Sequence, residues 1–131
     1  MREPFGIDES WLDVSASTSI KGDGMKIANE ISKRIQHELG VTVSIGVSWN
    51  KIFAKLGSDY KKPDAITEFS RENYKSLAWN LPAGDLIYVG RSTNKKLQTL
   101  GIKTIGELAN TEPAILESRL GKMGLVLHTF A

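Results

Sequence analysis

The stretch TVSIGVSWNKIFAKLGSDYKKPDAI, from Thr42 to Ile66, changes period in its middle, and that change decides the fold class. Val43, Ile45 and Val47 alternate, which with Val41 predicts a strand over Val41 to Ser48. Asn50 is a helix N-cap residue, and Ile52, Phe53 and Leu56 then recur at helical spacing towards Lys62. Pro63 has no N–H to continue the helix and ends it; Ala65 to Thr67 reads as a further short strand. The helix therefore follows directly on a core strand and carries Lys61 and Lys62 at its far end. A lysine there is a point charge suited to a phosphate, and equally a cation complementing the helix dipole.

Upstream, FGIDESWLDVS (Phe5 to Ser15) places Asp8 and Glu9 between β-compatible residues: Phe5 and Ile7 on one side, Trp11, Leu12 and Val14 on the other. A hairpin is expected, with its acidic pair at the interruption. Neighbouring residues of a regular strand point to opposite faces, so the two carboxylates can share an ion only from a turn. There, two hard oxygen donors suit a magnesium ion that keeps waters and takes other ligands from phosphates. The competing reading is an acidic turn with no ligand. From Gly22 to Leu39 the residues Met25, Ala28, Ile31, Ile35 and Leu39 predict a helix closed by Gly40. The order strand, strand, helix, strand, helix predicts an α+β layer, with helices on one face of a largely antiparallel sheet.

After Phe69 the pattern turns to short helices with tight connections. Ser70 is the candidate cap of a helix through Tyr74 and Leu77, and Glu112 with Pro113 opens another helix through Ile115, Leu116 and Leu120. Two units are expected, residues 1–69 and 70–131. Within the second, DLIYVGRSTNKKLQTLGIKTIGELA (Asp85 to Ala109) describes a short helix, a glycine turn at Gly90 and a helix from Thr93 to Leu100 ending at Gly101. Such a helix-hairpin-helix aims backbone N–H groups at an anion, most naturally a nucleic-acid phosphate, with Arg91, Lys95 and Lys96 beside it. A plain αα-hairpin packing two helices has the same outline.

The totals limit the alternatives. In 131 residues, 40% hydrophobic and 24% charged, there is no apolar run of the roughly 18 residues needed to cross a membrane, and no secretory leader is read. The expected location is the cytoplasm. With no cysteine, disulfides, thiolate metal sites and cysteine nucleophiles are all excluded, and two distant histidines, His37 and His128, argue against an imidazole metal site. Net charge is +2, yet 51–62 and 91–103 are locally basic while Asp8, Glu9 and Asp13 crowd the start.

Taken in order, three stretches resemble the Y-family translesion DNA polymerases, the class that includes DinB- and UmuC-like (ImpB/MucB/SamB) proteins. GIDESWLD is similar to the family's S-I-D-E-x-x-L-D motif. SIGVSWNKIFAKLGSDYKKP is similar to its strand and helix ending in Lys-Pro, and YVGRSTNKKLQTLGIKTIGEL to its thumb helix-hairpin-helix. The resemblance implies the second half of a palm over 1–69 and a thumb over 70–131. It implies Asp8 and Glu9 as ligands of two catalytic magnesium ions and Lys62 as a contact to the incoming nucleotide's triphosphate. Gly90, Arg91, Thr93, Lys95 and Lys96 are the implied DNA contacts. Primer-template DNA, a deoxynucleoside triphosphate and a sliding clamp are the implied partners in a DNA-repair and damage-tolerance role.

Two departures stand out: Gly6 replaces the family's serine, on what reads as the first strand, and Tyr88 stands where many members have the first glycine of the hairpin. The family places a first metal-binding aspartate and nucleotide-binding fingers upstream of this motif and a little finger beyond Ala131, so this chain alone is expected to be inactive. The alternative expectation is a non-catalytic helix-hairpin-helix DNA-binding module.

Overall fold

A short antiparallel hairpin leads the chain: β1 (Arg2–Pro4) pairs with β2 (Ser10–Leu12) in the register Arg2↔Leu12, Glu3↔Trp11, Pro4↔Ser10. The computed structural model describes residues 2–15 and 23–131. Phe5 and Ile7, expected within the first strand, lie instead in the loop. Phe5 N–H donates to the Glu9 carbonyl (2.9 Å), and Gly6 has φ 77°, a left-handed conformation that costs a side-chain-bearing residue about 1–2 kcal/mol. Gly6 is thus a turn residue rather than a strand residue, and it is what lets the loop close with Asp8 and Glu9 at its end.

Helix α1 (Gly24–Leu39) starts at Asp23, whose side chain accepts from Lys26 N–H, and ends at Gly40 with φ 70°. Its predicted first residue, Gly22, lies outside the described residues. Ile27 and Ala28 supply its buried face.

Strand β3 (Ile45–Ser48), helix α2 (Lys51–Tyr60) and strand β4 (Ile66–Phe69) follow. Asn50 caps α2 as expected, its side chain accepting from Phe53 N–H (2.8 Å). The β3–β4 pair is parallel, from Ile45↔Ile66 to Ser48↔Phe69, where a largely antiparallel sheet was expected. The physical reason is the helix between them: α2 carries the chain back, so β4 re-enters in the direction of β3. Residues 41–44, predicted to extend this strand, remain outside it, because β4 offers partners only as far as Ile45. The helix also stops early, at Tyr60, with Lys61 extended, so Lys62 lies beyond the helix end and joins Pro63 through a cis peptide.

What holds this first unit, Met1–Ser70, is the contact of α2 with the β3–β4 pair. Phe53, Leu56 and Phe69 are buried, and the rings of Phe53 and Tyr60 each make a T-shaped contact with that of Phe69, centroids 6.5 and 5.4 Å apart. Burial of each large side chain contributes on the order of 2–3 kcal/mol. Between them the backbones themselves meet: a Cβ on Gly46 would overlap the Ala54 carbonyl oxygen and lie 2.5 Å from Ser58 N, and one on Gly57 would lie 3.1 Å from Gly46 Cα.

The second unit, Arg71–Ala131, is helical: α3 (Tyr74–Leu77), two 3₁₀ turns (Ala78–Asn80, Ala83–Asp85), α4 (Arg91–Thr99), α5 (Ile105–Ala109), α6 (Pro113–Leu120) and α7 (Lys122–Phe130). Ser70 is not the cap of α3; Asn73 precedes it, without a side-chain cap bond. The core is Leu86, Leu97, Ile102, Ile105, Leu108, Leu116 and Leu127, with Ala78 and Ala83 fully buried. Helices α6 and α7 close on each other at Gly124, whose Cβ would overlap the Leu116 carbonyl.

The Gly46 contact gives a direct stability test. Gly46→Ala is expected to lower unfolding free energy by about 2–3 kcal/mol, measured by denaturant titration, because β3 must lift off α2 to admit one methyl group.

Candidate functional site

The hairpin tip and helix α2 share a line of alternating charge. Lys55 Nζ lies 2.8 Å from Glu9 Oε1 and 2.8 Å from Asp59 Oδ2, and Asp59 Oδ1 lies 3.0 Å from Lys62 Nζ. Glu9 and Lys62, drawn from separate motifs of the sequence, are therefore two ends of one chain of ion pairs. Its middle members, Lys55 and Asp59, were not singled out in the sequence. The signal was there in their spacing: residues four and three apart on a helix face each other, and Lys55–Asp59–Lys62 is that series.

Two more contacts hold the tip against α2. Trp11 Nε1–H donates to the Lys51 carbonyl (2.9 Å), and Lys51 pairs with Glu3 while its ammonium lies 4.6 Å from the centre of the Trp11 ring.

Electrostatics agree with this geometry. For Lys55, burial alone pulls the pKa down, but the hydrogen bonds and charges of Asp59 and Glu9 outweigh it and the net shift is upward. For Asp59, burial pushes the pKa up, and Lys55 and Lys62 together overcome it, so the carboxyl titrates below the usual aspartate range.

Asp8 stands apart. It is exposed and has neither a hydrogen bond nor an ion pair among the described residues. The turn thus frees both acidic side chains from the pleat, one open and one held. As donors for a magnesium ion the two fit in kind, being hard oxygens on adjacent residues of a loop, and they would fill only part of a coordination shell. Among the described residues no group of three or more His, Asp or Glu side chains converges on one point.

In the second unit the predicted hairpin has a 3₁₀ turn, Ala83–Asp85, as its first arm and α4 as its second. Val89 N–H donates to the Leu86 carbonyl (3.2 Å) to close the turn. Tyr88 takes φ 72°, the conformation that the family's glycine would reach without penalty, and its exposed ring lies 5.9 Å from that of Phe130. Gly90 precedes α4 with φ −83° and ψ −178°, which any residue adopts, and a Cβ there would meet nothing within 4 Å. Neither conformation nor internal packing therefore requires Gly90 to be a glycine. The helix start has no side-chain cap bond, which leaves its first N–H groups without that partner. Arg91, Ser92, Lys95 and Lys96 line a concave surface beside them, and Arg91, Lys95 and Lys96 are exposed with no ion pair among the described residues. Thr93 is half-buried on the same first turn.

The first unit thus carries an acidic turn tied to the lysines of α2 and its end, and the second a hairpin that leads into a helix start without a side-chain cap. Comparison with known proteins places these features in a family. The sequence model of the impB/mucB/samB family matches residues 2–59, and that described as DNA polymerase-iota, thumb domain, matches residues 84–131. A protein named DNA polymerase IV from Acetivibrio thermocellus is 58% identical over 129 residues, 98% of this chain and 32% of the relative. Among solved structures, a Y-family DNA polymerase chimera of Dbh and Dpo4 superposes with a TM-score of 0.86 at 27% identity, covering 98% of this chain and 38% of that one. An insertion ternary complex of Dbh DNA polymerase gives 0.80 at 26% identity, over 93% and 36%. The chain belongs to the Y-family DNA polymerases, by its impB/mucB/samB and thumb sequences together. It spans about a third of the length of the curated relatives it matches. Among the described residues no helix is long and apolar enough to cross a membrane.

A lowered carboxyl pKa means stability that is present above the unfolded value and lost as pH falls through the folded one. The Asp59 contribution should therefore disappear below the usual aspartate range. Its side chain is 44% exposed, so solvent screens the pairs and the effect is about 0.2–1 kcal/mol. In acid unfolding curves, Asp59→Asn should remove that part of the pH dependence.

Proposed function

We propose that this chain is the working middle of an error-prone translesion DNA polymerase, with the C-terminal part of a palm over residues 1–69 and a thumb over 70–131. The observation that carries the reading is the ion-pair line from Glu9 through Lys55 and Asp59 to Lys62. It joins an acidic turn suited to metal to a lysine suited to a triphosphate, as a nucleotidyl-transfer site needs.

Asp8 and Glu9 would hold the divalent metal; when bound, magnesium supplies Lewis-acid neutralisation of the charge that builds up on the phosphate oxygens. The remaining work belongs to the chain's own groups. Asp8 has no partner to give up, so its carboxylate is available at once. Glu9 is already oriented by Lys55. Lys62, half exposed and held by one carboxylate oxygen of Asp59, exchanges that partner for the triphosphate of an incoming nucleotide, where it serves as a point charge. In the thumb, the uncapped N–H groups after Gly90 donate to a DNA backbone phosphate, with Arg91, Thr93, Lys95 and Lys96 around it. The missing Cβ at Gly90 leaves room for that approach.

The reaction would be primer extension on template DNA with deoxynucleoside triphosphates, in cytoplasmic DNA repair and damage tolerance, with a sliding clamp as a further partner. With two carboxylates rather than a full set, the 131-residue chain alone is inactive.

A second reading, a non-catalytic helix-hairpin-helix DNA-binding module, is favoured by one observation: the helix start after Gly90 is uncapped with Arg91, Lys95 and Lys96 beside it, whereas no third acid joins Asp8 and Glu9 among the described residues.

The chain by itself should give no primer extension. A chimera in which it replaces the matching segment of the Acetivibrio thermocellus DNA polymerase IV should extend primers. There Asp8→Ala should lower the rate about a hundredfold or more, as removal of a charge-stabilising group does; an unchanged rate would leave only the binding-module reading. Duplex binding by the chain alone should weaken with salt, and Arg91→Ala or Lys95→Ala should each reduce the salt slope by about 1. Gly90→Ala should weaken duplex binding while leaving the thermal midpoint of unfolding unchanged.

A further inference from the structure

Lys55 contacts both the acidic turn and the helix carboxylate, and the polymerase reading uses only the first of these contacts, to orient Glu9. Its side chain is 19% exposed, and its ammonium sits at the same distance, 2.8 Å, from Glu9 Oε1 and Asp59 Oδ2. Without a counter-charge, Asp8 and Glu9 on adjacent residues would repel each other, and Lys55 supplies that charge to the member it reaches. A divalent ion arriving at the same carboxylate meets an ammonium already there, and the two cations repel. Lys55 must then give way. It need not search for a new partner, because its bond to Asp59 is already made, so a partly buried ammonium is never left unpaired.

We propose that Lys55 is a positioning residue that holds the Glu9 carboxylate until a divalent cation takes it, and then rests on Asp59 alone. This depends on the reading of Asp8 and Glu9 as cation ligands. It makes Asp59, which lies outside the acidic turn, a determinant of that turn's cation affinity: Asp59 is the attraction that draws Lys55 off Glu9. A purely structural Lys55, one that only clamps the loop, has the opposite signature, since loosening the loop would weaken cation binding and Asp59 would not matter.

Manganese(II) titrated into the ¹⁵N-labelled chain tests this, with paramagnetic broadening of the amide signals from Phe5 to Ser10 as the measure of affinity. Lys55→Met should tighten binding about threefold, and Lys55→Arg, which keeps the charge, should stay near the parent value. Asp59→Asn should weaken it by a similar factor, because Lys55 then has Glu9 as its only carboxylate. Weaker binding in Lys55→Met, or parent affinity in either Lys55→Met or Asp59→Asn, overturns the proposal while leaving the acidic pair as the ligand. Broadening that is indifferent to both Asp8→Asn and Glu9→Gln removes the cation-site reading itself, and the proposal with it. If the amide spectrum of Lys55→Met loses its dispersion, the Asp59→Asn comparison decides alone.

Discussion

The first unit depends on the absence of a side chain at Gly46. With nothing between them, the backbone of β3 rests on α2 at Ala54 and Ser58, and Gly57 extends the contact from the helix side. That approach is closer than any pair of ordinary residues permits, and it fixes the height and rotation of α2 over the sheet. Everything polar on the other side of the helix inherits this placement. Lys51, Lys55 and Asp59, spaced by fours, form a stripe facing the hairpin, and the hairpin is tied to that stripe by Trp11, Glu3 and Glu9. Packing of backbone on backbone thus sets where charge meets charge tens of residues away in sequence.

The resulting ion pairs are not strong stabilisers. Their side chains are between 19% and 55% exposed along the line from Glu9 to Lys62, and exposed pairs are screened and entropically costly. Their importance lies in geometry. An acidic pair in a loop has many rotamers, and a lysine held at two points by a rigid helix selects one of them for Glu9. Asp8, which has no such partner, stays open. Adjacent residues of like chemistry are thereby given different roles by a third residue that belongs to neither.

The second unit uses its glycine and its tyrosine in the reverse of the expected manner. Tyr88 adopts the left-handed conformation usually reserved for glycine, and its contact with Phe130 helps offset that strain; Gly90 adopts an extended conformation open to any residue. The turn survives the loss of its first glycine because the backbone path is kept. The second glycine is retained where the outward face of the helix start is bare.

Much of this was written in local sequence. Asn50, Gly40, Gly101 and Pro113 mark helix ends by their own backbone and capping chemistry, and no distant residue is needed to read them. The motifs around Asp8, Lys62 and Gly90 identified the family for the same reason, being short and contiguous. Other features are relations between segments. Whether β3 and β4 run parallel, and that β3 starts only at Ile45, depends on which residues find partners after α2 has returned the chain. That Glu9 meets Lys55 across 46 positions follows from the Gly46 contact, which no helical or strand period encodes. The sequence by itself determined the elements, their caps and the candidate ligands, because these rest on interactions within a few residues. Only the tertiary structure decided how the acidic turn and the basic helix end are joined, because that depends on distances between segments set by packing.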